Sequence, residues 1–182
     1  MTPEFMQEIK SFTKTLLNDI HTSLPGRITE FYPDKCEADV QPYGKFKTPA
    51  GKLMAYPKCP GVPLCLMQSA GQTASIVFPV KPGDECLLLF SEQALDTWRA
   101  NAESSTDLKF DLTNAVAIVG LFARVNPLVK IANDLDAVII QRGSSRVMLR
   151  SSGIDLSGNV NISGSLNVSG NLTANGVNLT GI

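Results

Sequence analysis

Residues 158–181 read GNVNIS, GSLNVS, GNLTAN and GVNLTG, and this stretch decides the fold of the C-terminal part of the chain. Aliphatic side chains alternate in it with Asn, Ser and Thr, which is the period of two that a β-strand imposes. A hexad with a glycine at each corner, where the backbone turns and packs closely, is typical of a β-helix. The corner glycines are Gly158, Gly164, Gly170 and Gly176. The apolar row, which begins just upstream and occupies even positions, consists of Ile154, Leu156, Val160, Ile162, Leu166, Val168, Leu172 and Ala174.

One chain is too short to bury this apolar row. A single-chain β-helix uses about three hexads per turn, so the four hexads of this chain would form little more than one turn. Solenoids need about three such repeats to be stable. Three chains wound together bury the row, because each chain supplies one side of a triangular prism. We therefore predict an intertwined trimeric β-helix over residues 151–182, with the even positions on the trimer axis. A disordered linker is the alternative, but a linker has no reason to keep aliphatic residues in register.

The outer face of this shaft is predicted to be polar and uncharged. Asp155 is the one charged side chain in residues 151–182, and the odd positions from 157 to 175 are Asn, Ser or Thr. Such a surface carries little charge with which to bind lipid headgroups or a polyanion. It therefore suits a rod that passes through a barrier.

Upstream, short strand-like runs alternate with turn signals. Residues 126–150 are predicted as transition strands, 138–140 and 147–149, joined by a turn. Residues 25–125 are predicted as an OB-like base domain or a small sandwich, because about five short strands occupy about 100 residues. The turn Lys81–Asp84 predicts a hairpin between the last two runs, and residues 94–110 predict an exposed loop with a short helix. The five runs are 27–31, 38–40, 61–66, 74–78 and 86–90.

Residues 1–24 are predicted to form an N-terminal amphipathic helix, because apolar residues recur at spacings of three and four. Thr2 can cap this helix, and Pro3 suits its first turn. Either the next domain or a copy of the helix must cover its stripe of Phe5, Ile9, Phe12, Leu16 and Ile20. The predicted fold class is therefore mainly β: an N-terminal helix, a small OB-like barrel and a C-terminal intertwined trimeric β-helix.

Composition excludes several classes of protein. The 182 residues carry 16 Lys and Arg against 17 Asp and Glu, a net charge of −1, so a bulk electrostatic preference for nucleic acid or acidic membranes is excluded. The longest uncharged apolar run, residues 115–123, is far shorter than the roughly 20 residues of a membrane span. No secretory signal is expected at the N-terminus. Buried cytosolic thiols are predicted for the cysteines, which are Cys36, Cys59, Cys65 and Cys86.

No catalytic residue, metal ligand or cofactor is predicted, and the chain is expected not to be an enzyme. The single histidine, His21, is predicted as a structural surface residue of the N-terminal helix. Asp84 and Glu85 are placed in a turn, where acidic residues are ordinary. Trp98 is predicted to lie in a core or an interface rather than to stack a sugar or a base.

Several stretches of the middle domain carry a resemblance to a known family. In chain order they are Gly26–Thr29, Val62–Leu64, Val80–Glu92, Leu95–Trp98 and Leu112–Gly120. Followed by the hexad repeat, they resemble the central spike, or cell-puncturing protein, of contractile phage tails, the baseplate spike family with an N-terminal OB-fold domain.

The resemblance implies a homotrimer at the tail baseplate tip of a virion or a related particle, made in the cytoplasm of the infected bacterium. The OB domains would contact the baseplate hub protein, and sheath contraction would drive the shaft through the host outer membrane without a transmembrane helix. Many such spikes end in an apex whose HxH motif binds iron. The chain has only His21, so no metal residue is carried over. Either a separate tip protein caps the shaft or the sequence stops before the apex.

Two other functions stay open from the sequence. An OB-fold protein that binds single-stranded nucleic acid would need a basic groove interleaved with aromatic residues. Lys45, Phe46 and Lys47, near Tyr43 and Tyr56, are the candidates for it, although the net charge argues against nucleic acid as a partner. A receptor-binding tail fibre segment is the other, although fibres usually carry a globular head beyond the shaft.

Overall fold

The computed structural model describes residues 3–18, 20–48, 51–103, 107–121 and 124–179. The chain divides into two compact units, Met1–Arg124 and Val125–Ile182. The predicted cap Thr2 and the last residues of the predicted shaft, 180–182, lie outside the described residues. The two units are described separately.

The first unit begins with helix α1, Pro3–Asn18. The prediction that this helix extends through residue 24 is wrong, because Ser23 already begins the first strand of a barrel. Pro25 disfavours a helical conformation for the residue before it, and the segment from Ser23 to Arg27 pairs with another strand. The apolar side chains of α1 are exposed, Phe12 to 66%.

Five strands close into a small barrel in the order β1-β2-β5-β9-β8. Neighbouring strands are antiparallel except β5 and β9, which are parallel. This closed barrel agrees with the predicted OB-like domain. Two small hairpins, β3-β4 and β6-β7, extend from it. The strands of the unit are β1 Ser23–Tyr32, β2 Glu37–Pro42, β3 Lys45–Lys47, β4 Leu53–Ala55, β5 Cys59–Cys65, β6 Met67–Ser69, β7 Ala74–Ile76, β8 Glu85–Phe90 and β9 Ala115–Val119.

The barrel core arises from alternation along its strands. In β8, Cys86, Leu88 and Phe90 are buried, whereas Leu89 is 40% exposed. Gly26 of β1 lies at a place where the core has no room for a side chain, since an added Cβ would lie 2.6 Å from Val40 Cγ1. The buried cluster also includes Ile28, Ala38, Val40, Cys59, Val62, Val80, Ala115 and Ala117.

The predicted hairpin between residues 74–78 and 86–90 is wrong. Strand β7 pairs with β6, whereas β8 pairs with β1 and β9. Both edges of β8 are occupied within the barrel, so β7 has no edge of β8 with which to pair. The turn itself is present, because the Asp84 carboxylate accepts a hydrogen bond from the Lys81 N–H at 2.8 Å. The short helix expected in residues 94–110 is α2, Leu95–Arg99.

The prediction of buried thiols is right for two cysteines and wrong for two. Cys59 and Cys86 are buried, and this burial raises the pKa of each thiol to about 11. Cys36 and Cys65 are exposed. Cys36 ends a 3-10 turn with a φ of +53°, so its side chain projects from a surface turn.

His21 follows α1 rather than lying within it. Its ring is half-buried beside Tyr56 and Phe90, with ring centroids 5.8 and 5.7 Å away. Its backbone N–H donates to the Phe110 carbonyl at 3.2 Å. His21 therefore joins the chain after α1 to the barrel.

The second unit contains one helix, unforeseen in the sequence, and a three-stranded sheet among its described residues. The helix α3, Pro127–Asp134, is capped by Asn126, whose side chain accepts a hydrogen bond from the Leu128 N–H at 2.9 Å. The predicted strands at 138–140 and 147–149 are present as β10 and β11. The sheet order is β10-β11-β12, with all pairs antiparallel. The strands of the unit are β10 Val138–Arg142, β11 Ser145–Arg150, β12 Gly153–Ser157, β13 Thr173–Ala174 and β14 Val177–Asn178.

The hexad repeat is only partly in strands. Residues 158–172, all of them described, form no ladder, whereas β12 precedes them and the short hairpin β13-β14 follows. A β-strand needs a hydrogen-bonding neighbour, and the neighbours predicted for these residues belong to other chains. The trimeric β-helix stays a prediction.

Candidate assembly surface

The apolar row of the repeat is exposed in the single chain. Its seven large members range from 40% exposed at Val168 to 66% at Ile154, and Ala174 is also exposed. Ile154 and Leu156 lie on one face of β12. The row continues through Val160, Ile162, Leu166, Val168 and Leu172, of which none is buried. Monomeric proteins rarely leave so many aliphatic side chains exposed in one short segment, so the row is a candidate interaction surface.

Charge is kept off the side of β12 that carries the row. Asp155 lies between Ile154 and Leu156 and therefore points to the opposite face of β12. There it forms an ion pair with Arg150 of the neighbouring strand. Consequently, the side of β12 that carries the row is aliphatic, and the charged pair lies on the other side.

Three of the four predicted corner glycines adopt backbone conformations that favour glycine. Gly158, Gly164 and Gly176 have φ values of +109°, +140° and +77°, a region that L side chains rarely adopt. Gly170 is not among the residues with positive φ. Glycine is therefore required by the backbone at three of these positions, and their role as corners of a trimer stays a prediction.

Gly176 has a different local role in the single chain. It follows Asn175, and the two have φ values of +77° and +49° between strands that pair antiparallel. Positive φ at both central residues of a two-residue loop is the type I′ turn, for which Asn-Gly is strongly preferred. The Leu179 N–H also donates to the Leu172 carbonyl at 2.7 Å. The Asn-Gly pair is the sequence signal for this hairpin, which was not predicted.

The surface considered for nucleic acid is an aromatic cluster on the barrel. Phe46 and Tyr56 pack with ring centroids 5.4 Å apart, and Tyr56 also contacts His21. Both rings are half-buried and contact other aromatic rings, whereas bases stack on exposed aromatic faces. Tyr43 is 62% exposed, so it is the aromatic side chain of this group that remains accessible.

Acidic side chains of the barrel take part in ion pairs and turns. Glu85 binds Arg27 at 2.7 Å, and Asp84 closes its turn. Asp39 is buried, and its carboxylate accepts hydrogen bonds from Lys58 Nζ at 2.7 Å and from the Gly61 N–H at 3.0 Å. These two donors hold the pKa of Asp39 below its ordinary value. The arrangement stabilises the β2-β5 pair rather than presenting a free acid.

Three further expectations from the sequence concern Trp98, metal ligands and membrane spans. Trp98 on α2 is 71% exposed, so a core position is wrong and an interface position stays a prediction. Within the described ranges, no three His, Cys, Asp or Glu side chains gather as a metal ion would require. The helices that the structure describes all fall short of the length and hydrophobicity of a membrane span.

Comparison with known proteins identifies the barrel. Residues 24–120, just over half of the chain, match the family described as Phage protein Gp138 N-terminal domain. The matched range begins within β1 and ends just after β9, so it contains the closed barrel. No curated protein matches the chain significantly.

Proposed function

Because this chain belongs to the phage protein family of the Gp138 N-terminal domain, we propose that it is the trimeric spike at the tail tip of a contractile phage or a related particle. In this function it pierces the host outer membrane when the sheath contracts. The observation that carries the proposal is the exposed apolar row, which follows a phage-family barrel in the same chain. A structural component of a phage tail has a use for a shaft that assembles only with copies of itself.

The physical requirements of piercing agree with the chemistry of the row and of the opposite face. The sheath supplies the work, so the spike has to be narrow, stiff and resistant to unfolding. Aliphatic side chains on a shared axis provide this, because three chains must separate together before the shaft unfolds. The side chains that face outward are uncharged except Asp155, which is paired with Arg150. An outer face of this kind has little attraction for charged headgroups as it passes.

The partners in this proposal are two further copies of the chain and the baseplate hub protein. The barrel binds the hub protein, and the repeat forms the shaft that enters the host membrane. The chain acts without catalysis, cofactor or bound nucleic acid, as a mechanical component.

The first experiment measures the mass and the location of the assembly. Native mass spectrometry of the purified chain should give three times the 19.6 kDa of one chain. Gold-labelled antibody against the chain should decorate the tail tip of intact particles. A monomer across the micromolar range contradicts the trimeric spike, and labelling of the head or the sheath contradicts its location.

The second experiment measures penetration of the outer membrane. Host cells that hold a periplasmic β-lactamase hydrolyse nitrocefin faster once their outer membrane is breached. Particles that carry Leu166→Asp should adsorb normally, but host cells treated with them should hydrolyse nitrocefin more slowly than cells treated with native particles. Particles that carry Asn167→Asp, with the same charge on the neighbouring outward residue, should behave as native. Equal hydrolysis with both variants would contradict the piercing function.

A third measurement addresses the alternatives. Salt-dependent binding of the chain to single-stranded DNA would favour the nucleic-acid function of the barrel. Specific binding to a host surface glycan would favour a receptor-binding fibre. Neither binding is expected from a spike.

A further inference from the structure

The sheet of the second unit has one aliphatic face that the hexad repeat does not include. The cross-strand pairs Val138↔Leu149, Ile140↔Val147, Val147↔Leu156 and Leu149↔Ile154 set its register. Residues directly opposite each other in a sheet point to the same side. One side therefore carries six aliphatic side chains, which we call the sheet face: Val138, Ile140, Val147, Leu149, Ile154 and Leu156.

The sheet face is largely exposed in the single chain, with Val147 half-buried. Val138 is 65% exposed, Ile140 57% and Leu149 39%. The other side of the same sheet is different in character, since it carries the Arg146–Gln141 hydrogen bond and the buried Met148. An antiparallel sheet normally turns its apolar side to a core and its polar side to solvent. Here the side with six aliphatic residues is largely exposed, whereas the side that is packed within the chain is the one with Met148 and the half-buried Ile139.

The sheet face and the apolar row are one continuous surface. Ile154 and Leu156 belong to both, because β12 is the edge strand of the sheet and the first segment of the row. Neighbouring strands lie about 4.8 Å apart. If Ile154 and Leu156 lie on a trimer axis, Val147 and Leu149 of β11 lie beside that axis as well.

We infer that the sheet face is the upper part of the trimer interface, where it packs against the same face of two further copies. The inference rests on the proposed trimeric spike and extends its assembly surface to β10 and β11. A second copy is the occupant that the chemistry favours, because the face is aliphatic throughout its centre and is therefore complementary to itself. Arg142 lies on the same side but at the turn end of β10, beyond Ile140, whereas Arg150 and Asp155 lie on the opposite side. The trimer then begins with three sheets whose aliphatic sides meet, before the chains enter the repeat.

A pair of adjacent substitutions tests this interface. Ile140→Asp places a carboxylate on the sheet face, and Gln141→Asp places the same carboxylate on the opposite side, next to Arg146. Because Ile140 is already 57% exposed in the single chain, its replacement removes little from the fold of the unit itself. Sedimentation velocity over a dilution series should show that Ile140→Asp raises the concentration at which the trimer half-dissociates by about tenfold or more. Gln141→Asp should leave that concentration unchanged.

Leu166→Asp separates this inference from the proposed function. If Leu166→Asp dissociates the trimer and Ile140→Asp does not, the sheet interface is wrong and the shaft stands. If Ile140→Asp dissociates it and Leu166→Asp does not, the sheet interface stands and the shaft is wrong. If neither has an effect, both fall.

A photo-crosslinking experiment gives a readout that does not depend on stability. A benzoyl-phenylalanine residue at position 140 should join two copies of the chain on illumination, whereas one at position 141 should not. Crosslinks from position 140 to a different protein in intact particles, without joined copies, would overturn the inference.

Discussion

Leu166→Asp is the substitution that tests the assembly most directly. Leu166 lies in the middle of the repeat and is 62% exposed in the single chain. Full burial of a leucine side chain is worth about 1.5–3 kcal/mol. With about two thirds of the side chain still to be buried, each copy gains about 1–2 kcal/mol on assembly, and three copies gain about 3–6 kcal/mol.

Aspartate removes this gain and adds a second cost. Three carboxylates meet on an axis without water, and a buried unpaired charge costs several kcal/mol. The loss of apolar burial alone shifts the dissociation equilibrium by about two to four powers of ten. The carboxylates also acquire raised pKa values if they are forced together, so the variant trimer should partly recover at acidic pH.

Sedimentation velocity and thermal unfolding measure the effect, with Asn167→Asp as the matched control. The native chain and Asn167→Asp should sediment as trimers at micromolar concentration and unfold at similar temperatures. Leu166→Asp should sediment as a monomer at the same concentration while the barrel keeps its circular dichroism. If Leu166→Asp forms a trimer with an unchanged melting temperature, Leu166 does not face the axis and the assignment of the even positions is wrong.

Three further predictions concern local features of the two units. Gly26→Ala should destabilise the barrel by about 1–3 kcal/mol in urea unfolding, because the added Cβ lies 2.6 Å from a core side-chain atom; an unchanged midpoint would show that the core yields easily. Asp39→Asn should lower the urea midpoint at pH 7, because the charged hydrogen bond to Lys58 is lost. Because the folded pKa of Asp39 is lowered, this contribution to stability is present above the ordinary aspartate pKa and disappears as pH falls through the folded value. The two proteins should therefore have the same stability in acid. A stability difference that does not depend on pH would contradict this. Gly164→Ala should lower the melting temperature of the assembled chain, because alanine is strained at a φ of +140°, and an equal melting temperature would show that the glycine adopts another φ in the assembly.

The barrel could be predicted because its strands are apolar runs bounded by turn residues. The run Cys86–Phe90 and the turn before it are where the sequence places them. Which strands pair with one another was harder to predict, because a turn signal between two strands does not say whether either strand has a free edge. Residues 74–78 and 86–90 therefore looked like a hairpin, although both edges of β8 are used by the barrel.

In the second unit, two sequence signals mark elements that were not predicted. Asn126 followed by Pro127 is a helix start, and it precedes α3. Asn175 followed by Gly176 is a hairpin signal, and it lies between β13 and β14. The sheet face is different, because its membership depends on register. In a hairpin the turn sets the register, and the turn between β11 and β12 was not predicted.

The exposed row has a consequence for biosynthesis. The row follows the barrel in chain order, so β9 leaves the ribosome before Ile154 does. At about 5–20 residues per second, the barrel has seconds in which to close before the row emerges. The barrel is therefore already closed when the row emerges. The risk of aggregation through the row is confined to the time that the chain takes to meet two further copies. Abundant synthesis from neighbouring ribosomes on one messenger would shorten that time.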